Sequence, residues 1–176
     1  MLTQRHLGFT LVEVLIALAL VAGMATLAVP PLMAQHDKST LRQHTADLAH
    51  AITFTRQQAM LHGQTALLAA INQQWQQGWV SFIDTDHAGF YHPEHDITLM
   101  HYPAPAAPIH LAAPSAHTGY ANPFAQGYVL FNAQGFPRTR DGSLANGSLQ
   151  LSMGQWQFSV YLHQSGRVRT CFSAPC

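Results

Sequence analysis

Four arginines stand in the last forty residues. Between Pro137 and Cys176 lie Arg138, Arg140, Arg167 and Arg169, against a single acid, Asp141. Four positive charges less one give a local +3, in a chain whose formal net charge is zero. In a strand, Arg167 and Arg169 share a face about 6.6 Å apart, at ~3.3 Å per residue. Two guanidiniums at that spacing can grip consecutive backbone phosphates, in the fork geometry that favours Arg over Lys. Gly166 is expected to leave the backbone uncovered beside them, and Arg138 and Arg140 to fall in a looser turn. An ordinary solvated strand face is the alternative.

A second group of chemical side chains is the run Asp84–Asp96, DTDHAGFYHPEHD, with four carboxylates and three histidines. Oxygen ligands at alternating positions followed by glycine begin like a calcium loop. The pattern fails afterwards, because Phe90-Tyr91-His92-Pro93 supplies few oxygens. The histidines could instead suit a transition metal. A solvated hairpin turn, with no metal, is the reading adopted.

Other chemistry is excluded. The chain has no Gly-x-Ser-x-Gly, P-loop or His-Glu-x-x-His signature. Chance combinations of Ser, His and Asp carry no weight in a sequence with 12 His. No enzyme and no cofactor is expected. Charged residues make up only 9% and hydrophobic ones 48%, so a globally basic nucleic-acid binder is excluded and a positive site must be local.

The near end of the chain carries one isolated carboxylate. From Val14 to Ala34 no side chain is charged, 21 residues in all. As a helix this spans roughly 32 Å at ~1.5 Å per residue, enough to cross a ~30 Å hydrocarbon layer once. Glu13 sits at the start of that run. A carboxylate there is costly. It either snorkels to the interface or is held for a specific positive partner.

These groups need elements to position them. Leu41, Thr45, Leu48, Ile52, Thr55 and Ala59 recur along one face at ~100° per residue, so the helix resumes after Pro30-Pro31. The prolines should kink rather than end it. It should stop at His62-Gly63. Strands follow over Thr65–Ile71, Trp79–Asp84, Ile97–Tyr102, Ile109–Ala113, Gly127–Asn132, Ser148–Met153, Trp156–Leu162 and Gly166–Phe172. The two that alternate cleanly, Leu149-Leu151-Met153 and Trp156-Phe158-Val160-Leu162, should form a hairpin across Gly154-Gln155. The fold class is α+β, a long N-terminal transmembrane spine helix kinked at Pro30-Pro31 and packed on an antiparallel β head. Cys171 and Cys176 read as a small disulfide loop in an exported domain, a zinc pair being the alternative.

The stretch Gly8-Phe9-Thr10-Leu11-Val12-Glu13, after a short polar leader with Arg5, resembles the processing site of type IV pilins and type II secretion pseudopilins. A secretory signal would place its cut after the apolar region, not before it. The resemblance implies cleavage by a prepilin peptidase between Gly8 and Phe9, with methylation of the new amino terminus. Phe9 then carries an amine four residues from Glu13, and the glutamate guides assembly by pairing with the amine of a neighbouring subunit. Residues 1–8 would be leader, 9–35 the transmembrane half of the helix, 36–63 its amphipathic half, and 64–176 a periplasmic head. Removing the leader takes away Arg5, leaving 7 basic and 8 acidic side chains, a net −1.

The head, from Gly78-Trp79 through Gly127-Tyr128-Val129-Leu130-Phe131 and Gly135-Phe136-Pro137 to Ser165–Cys171, resembles the FimT/GspH branch of minor pilins and pseudopilins. That implies a β head of two sheets in a single-pass protein of the bacterial inner membrane, with other pilin subunits as partners. Gly166-Arg167-Val168-Arg169 matches the GRxR motif of FimT-type pilins that bind DNA in natural transformation. Members often have a cysteine just after the spine. Here Leu67 and Leu68 occupy that region, which leaves Cys176 as the substitute partner of Cys171. The rival within the branch is a GspH-type pseudopilin, a tip subunit of the type II secretion filament that needs no nucleic acid.

Overall fold

The computed structural model describes residues 10–105, 108–114 and 120–172, without the side chains of residues 25–32. It divides into two compact units, residues 1–36 and 37–176. One helix, α1 (Leu11–His62), contributes to both.

In the first unit α1 starts at a cap. The Thr10 hydroxyl accepts the Glu13 N–H at 3.2 Å, and the Thr10 carbonyl accepts the Val14 N–H at 3.2 Å. Thr10-x-x-Glu13 is therefore the sequence of a capping box, with an acid in the positive first turn of the helix. From Leu11 to Met24 the side chains are exposed. The helix is assigned without interruption across Pro30 and Pro31.

In the second unit the expected stripe is the buried face of the helix. Leu41, Thr45, Leu48, Ile52, Thr55 and Ala59 are all buried. Two of its members are hydroxyls that need partners. Thr45 donates to the Leu41 carbonyl, and Thr55 donates to the Ala51 carbonyl and meets Ser81 Oγ at 2.8 Å. The helix ends at His62. Gly63 is left-handed at φ +62°, and the Gln64 N–H returns to the Ala59 carbonyl at 3.2 Å, a Schellman closure.

The head has two antiparallel sheets. The first has the order β3-β2-β1-β5-β6, from β1 (Ala66–Ala70), β2 (Trp79–Ile83), β3 (Ile97–Tyr102), β5 (Tyr128–Phe131) and β6 (Pro137–Arg138). The second has the order β4-β7-β8-β9, from β4 (His110–Ala112), β7 (Gly147–Met153), β8 (Trp156–Leu162) and β9 (Val168–Phe172). The expected hairpin is β7–β8, closing at Met153 opposite Trp156. Only β6 lacked a strand signal. It is two residues long, too short for a period to show.

The helix stripe packs into one core with Leu68, Ile83, Val129 and Phe131 of the first sheet and Leu149, Leu151, Phe158, Val160 and Leu162 of the second. The first sheet also buries its other face. Leu67, Val80, Phe82, Tyr128 and Leu130, the alternate residues of the same strands, form a second cluster. Tyr91 of the β2–β3 loop packs on that cluster, its ring 5.1 Å from Phe82.

Candidate functional site

The arginine pair lies on the β8–β9 hairpin. The hairpin is closed by the His163 N–H on the Arg167 carbonyl at 2.9 Å and the Gly166 N–H on the His163 carbonyl at 2.8 Å. Strand β9 occupies the end of its sheet, paired with β8. Val168 is half-buried against the core, and Phe172 lies under the Lys38 ammonium, which sits 4.4 Å from its ring centroid. By the two-residue alternation of a strand, Arg167 and Arg169 face the other way. Both are exposed, and neither makes a hydrogen bond or ion pair among the described residues.

Gly166 does not leave backbone uncovered. It is buried, with φ +79°. A Cβ there would lie 2.5 Å from the Gly135 carbonyl oxygen and closer still to Arg56 Nε. Arg56, from α1, donates through Nε to the Gly135 carbonyl at 2.8 Å and reaches the Ser165 carbonyl with a terminal nitrogen at 3.5 Å. One guanidinium thus fastens the β5–β6 turn and the β8–β9 turn together. Arg56 was not among the expected site residues. Its partners are carbonyls 79 and 109 residues away. The one local signal is a cation in the otherwise uncharged helix end.

The other two arginines are placed differently. Arg138 is half-buried in β6, opposite Leu130 in the first sheet. Arg140 is engaged: its Nε donates to the Gly89 carbonyl at 2.8 Å, and its guanidinium carbon lies 3.9 Å from the Phe90 ring centroid and 4.0 Å from that of Tyr128. Its backbone N–H meets the Tyr128 hydroxyl at 3.2 Å. Arg140 clamps the β2–β3 loop onto the outer face of the first sheet. The positive charge that adjoins Arg167 across the Gly166 turn is Arg56, a residue outside the expected four.

The β2–β3 loop is only partly a solvated turn, because Asp84 and Asp96 are buried. Asp96 accepts the Thr85 N–H at 3.1 Å and the His92 N–H at 2.7 Å, pinning both ends of the loop. His92 Nδ1 and Asp86 Oδ2 are 2.7 Å apart. That bond, aided by the Ala88 N–H, holds the Asp86 carboxyl down at about 2. It also raises the His92 imidazole above its usual value. Burial raises Asp84, a side-chain hydrogen bond with Asp86 raises it further, and the Asp96 and Asp86 charges push the same way against the Gly89 N–H.

Glu13 is exposed near the start of α1. Gly8 and Phe9 lie outside the described residues. So does Cys176, whereas Cys171 is half-buried in β9. Among the described residues no helix is long and apolar enough to cross a membrane.

The family model described as type II transport protein GspH matches residues 44–169, and the prokaryotic N-terminal methylation motif matches residues 3–29. No curated protein matches the chain in sequence. Among solved structures, the type IV minor pilin FimU of Pseudomonas aeruginosa is similar at a TM-score of 0.55 and 11% identity, over 73% of this chain and 90% of that one. The minor pseudopilin EpsH of the Vibrio cholerae type 2 secretion system is similar at a TM-score of 0.51 and 10% identity, over 74% of this chain and 95% of that one. At this identity the likeness is one of fold. Pilin and pseudopilin families are structural subunits, not enzymes. With the GspH match covering most of its length behind a methylation motif, this chain belongs to the GspH family of type IV pilin-like proteins.

Proposed function

We propose that the chain is a minor pilin of a type IV pilus that binds DNA without sequence preference and acts in DNA uptake during natural transformation. The observation that carries this reading is the pair Arg167 and Arg169. They are exposed, two residues apart at a sheet edge, and engaged by nothing among the described residues. Structural arginines look like Arg140, stacked and hydrogen-bonded. An unengaged pair with fixed spacing suits successive phosphates, and Arg56 beside the Gly166 turn adds to the local potential. Contacts of this kind position a nucleic acid without reading its bases.

The methylation motif supports the assignments at the amino-terminal end. A prepilin peptidase cuts between Gly8 and Phe9, and the Phe9 amine is methylated. The apolar half of α1 anchors the subunit once in the bacterial inner membrane, with the head in the periplasm. Glu13 pairs with the amine of an adjacent pilin subunit during assembly. Cys171 and Cys176 form a disulfide beside the arginine strand.

The second reading, a GspH-type tip subunit of a type II secretion pseudopilus, is favoured by the description of the family that matches residues 44–169. Duplex binding by the detergent-solubilised mature chain separates the two. The DNA reading requires Arg167→Gln/Arg169→Gln to lose affinity at low salt. Equal affinity in both proteins would transfer the assignment to secretion.

A further inference from the structure

The β2–β3 loop holds a group of side chains that neither DNA binding nor assembly uses. Asp86, His92 and Asp96 each bring one ligand atom to within 4.8 Å of the others. Asp84 is outside that group but adjoins Asp86 and Asp96, and it is only 3% exposed. Its Oδ2 accepts the Gly89 N–H at 3.1 Å, but its Oδ1 is buried with no hydrogen-bond partner among the described residues. A buried carboxylate oxygen without a donor bears its full desolvation cost. Asp86 and Asp96 adjoin it with like charge, so Asp86 can bond to it only through a shared proton, and neither supplies a counter-charge. Among the described residues no Lys or Arg pairs with these acids; His92 is the one cation that does, and only when protonated.

We propose that this loop binds one divalent transition-metal cation, Zn2+ foremost, through Asp86, His92 and Asp96, with the buried Asp84 carboxylate as counter-charge behind them. The donor set selects the class. Calcium takes six to eight oxygens, and the loop after Gly89 does not supply them. One imidazole with two carboxylates suits Zn2+, whose bonds to N and O are about 2.0–2.2 Å. The atoms that now share a proton, His92 Nδ1 and Asp86 Oδ2, are already 2.7 Å apart. On binding, an imidazolium ring loses the Nδ1 proton to solvent and a neutral ring carries its proton on Nε2, so that Nδ1 and the carboxylate each turn a lone pair to the metal. Arg140 clamps the loop at Gly89 and Phe90. The metal fastens it around His92, so that Tyr91 between them is held on Phe82.

The test is calorimetric titration of ZnCl2 into the metal-stripped, detergent-solubilised full chain, its Asp86→Asn variant and its His92→Gln variant. Adventitious sites on the other histidines appear in all three and cancel in the comparison. The wild type should show one tight site that each variant weakens on the order of 100-fold or more, since even outer-shell changes cost 10–100-fold. Co2+ should give a visible ligand-field band in the wild type alone. Zn2+ should raise the wild-type unfolding midpoint, a readout that needs no variant to fold. Identical isotherms in all three proteins, no rise in midpoint, or a site that prefers CaCl2 and ignores His92→Gln would each overturn the proposal.

Discussion

Arg56 closes over Gly166. The guanidinium occupies the space where any side chain at residue 166 would begin, and its Nε is spent on the Gly135 carbonyl. The glycine of the arginine motif is therefore a packing requirement of the head, set by a helix side chain 110 residues earlier (166 less 56). The arginines that follow it are the part left free for a ligand.

Gly166→Ala should destabilise the head. Alanine at φ +79° is strained, and its Cβ must displace Arg56 from Gly135. Left-handed strain of ~1 kcal/mol, with a lost part-buried hydrogen bond of similar size, amounts to about 2 kcal/mol. Arg56→Lys, which keeps the charge but cannot reach both carbonyls, should cost about 1–2 kcal/mol. Urea denaturation followed by tryptophan fluorescence measures both. An unchanged midpoint for Gly166→Ala would show that the turn can relax without cost.

What the sequence made legible is what periodicity encodes. The stripe from Leu41 to Ala59 and the alternation of Trp156, Phe158, Val160 and Leu162 state which faces are buried, and the structure buries all of these but Trp156, which is half-buried. Periodicity does not say which distant group a long polar side chain meets. Arg140 ends on Gly89, 51 residues away, and looked like a free cation. Gly166 looked like bare backbone because nothing local marks Arg56 as its cover. The loop Asp84–Asp96 looked solvated because its composition is polar, yet it lies over a second apolar cluster that the alternate residues of β1, β2 and β5 create.

Arg140→Gln separates clamp from contact. Losing the stacking on Phe90 and Tyr128 and the bond to Gly89 should cost about 1–2 kcal/mol of stability. The Asp84–Asp96 loop should then exchange amide hydrogens faster, while duplex affinity stays within about twofold, because a lone phosphate contact is absent. A large loss of DNA affinity with unchanged exchange would return Arg140 to the binding surface.

The thiol count checks the tail. Cys171 and Cys176 should be oxidised in periplasmic material, closing a short loop next to the arginine strand. Alkylation of protein unfolded without reductant should label no cysteine. Two labelled thiols would remove the disulfide.

Glu13 has two physical roles that one substitution cannot separate. Its N–H closes the Thr10 cap, and its carboxylate sits in the positive first turn of α1. Glutamine serves a capping box as well as glutamate does, yet carries no charge. If pairing with a neighbour's Phe9 amine is what assembly needs, Glu13→Gln should enter sheared filaments as poorly as Glu13→Ala. Normal incorporation of Glu13→Gln beside defective Glu13→Ala would assign the residue to capping instead. Intact mass of the same material should show a chain beginning at N-methylated Phe9, and a chain still beginning at Met1 would remove the amine from the scheme altogether.

DNA binding should carry a salt signature that counts its arginines. With Arg140 engaged in the clamp, the contacts available are Arg167 and Arg169, and at most the terminal nitrogens of Arg56, whose Nε is held by Gly135. Each phosphate neutralised on duplex contributes about −0.9 to the slope of log affinity against log salt, so two to three contacts give about −2 to −3. So few contacts imply affinity on the order of micromolar or weaker, indifferent to sequence. Arg167→Gln/Arg169→Gln should reduce the slope by about 2 and abolish most low-salt binding. Its unfolding midpoint should stay unchanged, since exposed unpaired charges contribute little to stability. Fluorescence anisotropy of labelled duplexes of unrelated sequence, between about 50 and 200 mM salt, reads the slope, the affinity and the indifference to sequence, and thermal unfolding reads the midpoint. A slope near −4 or steeper in the wild type would mean that Arg138 also reaches phosphate, or that Arg140 does and its clamp on Gly89 opens when DNA binds.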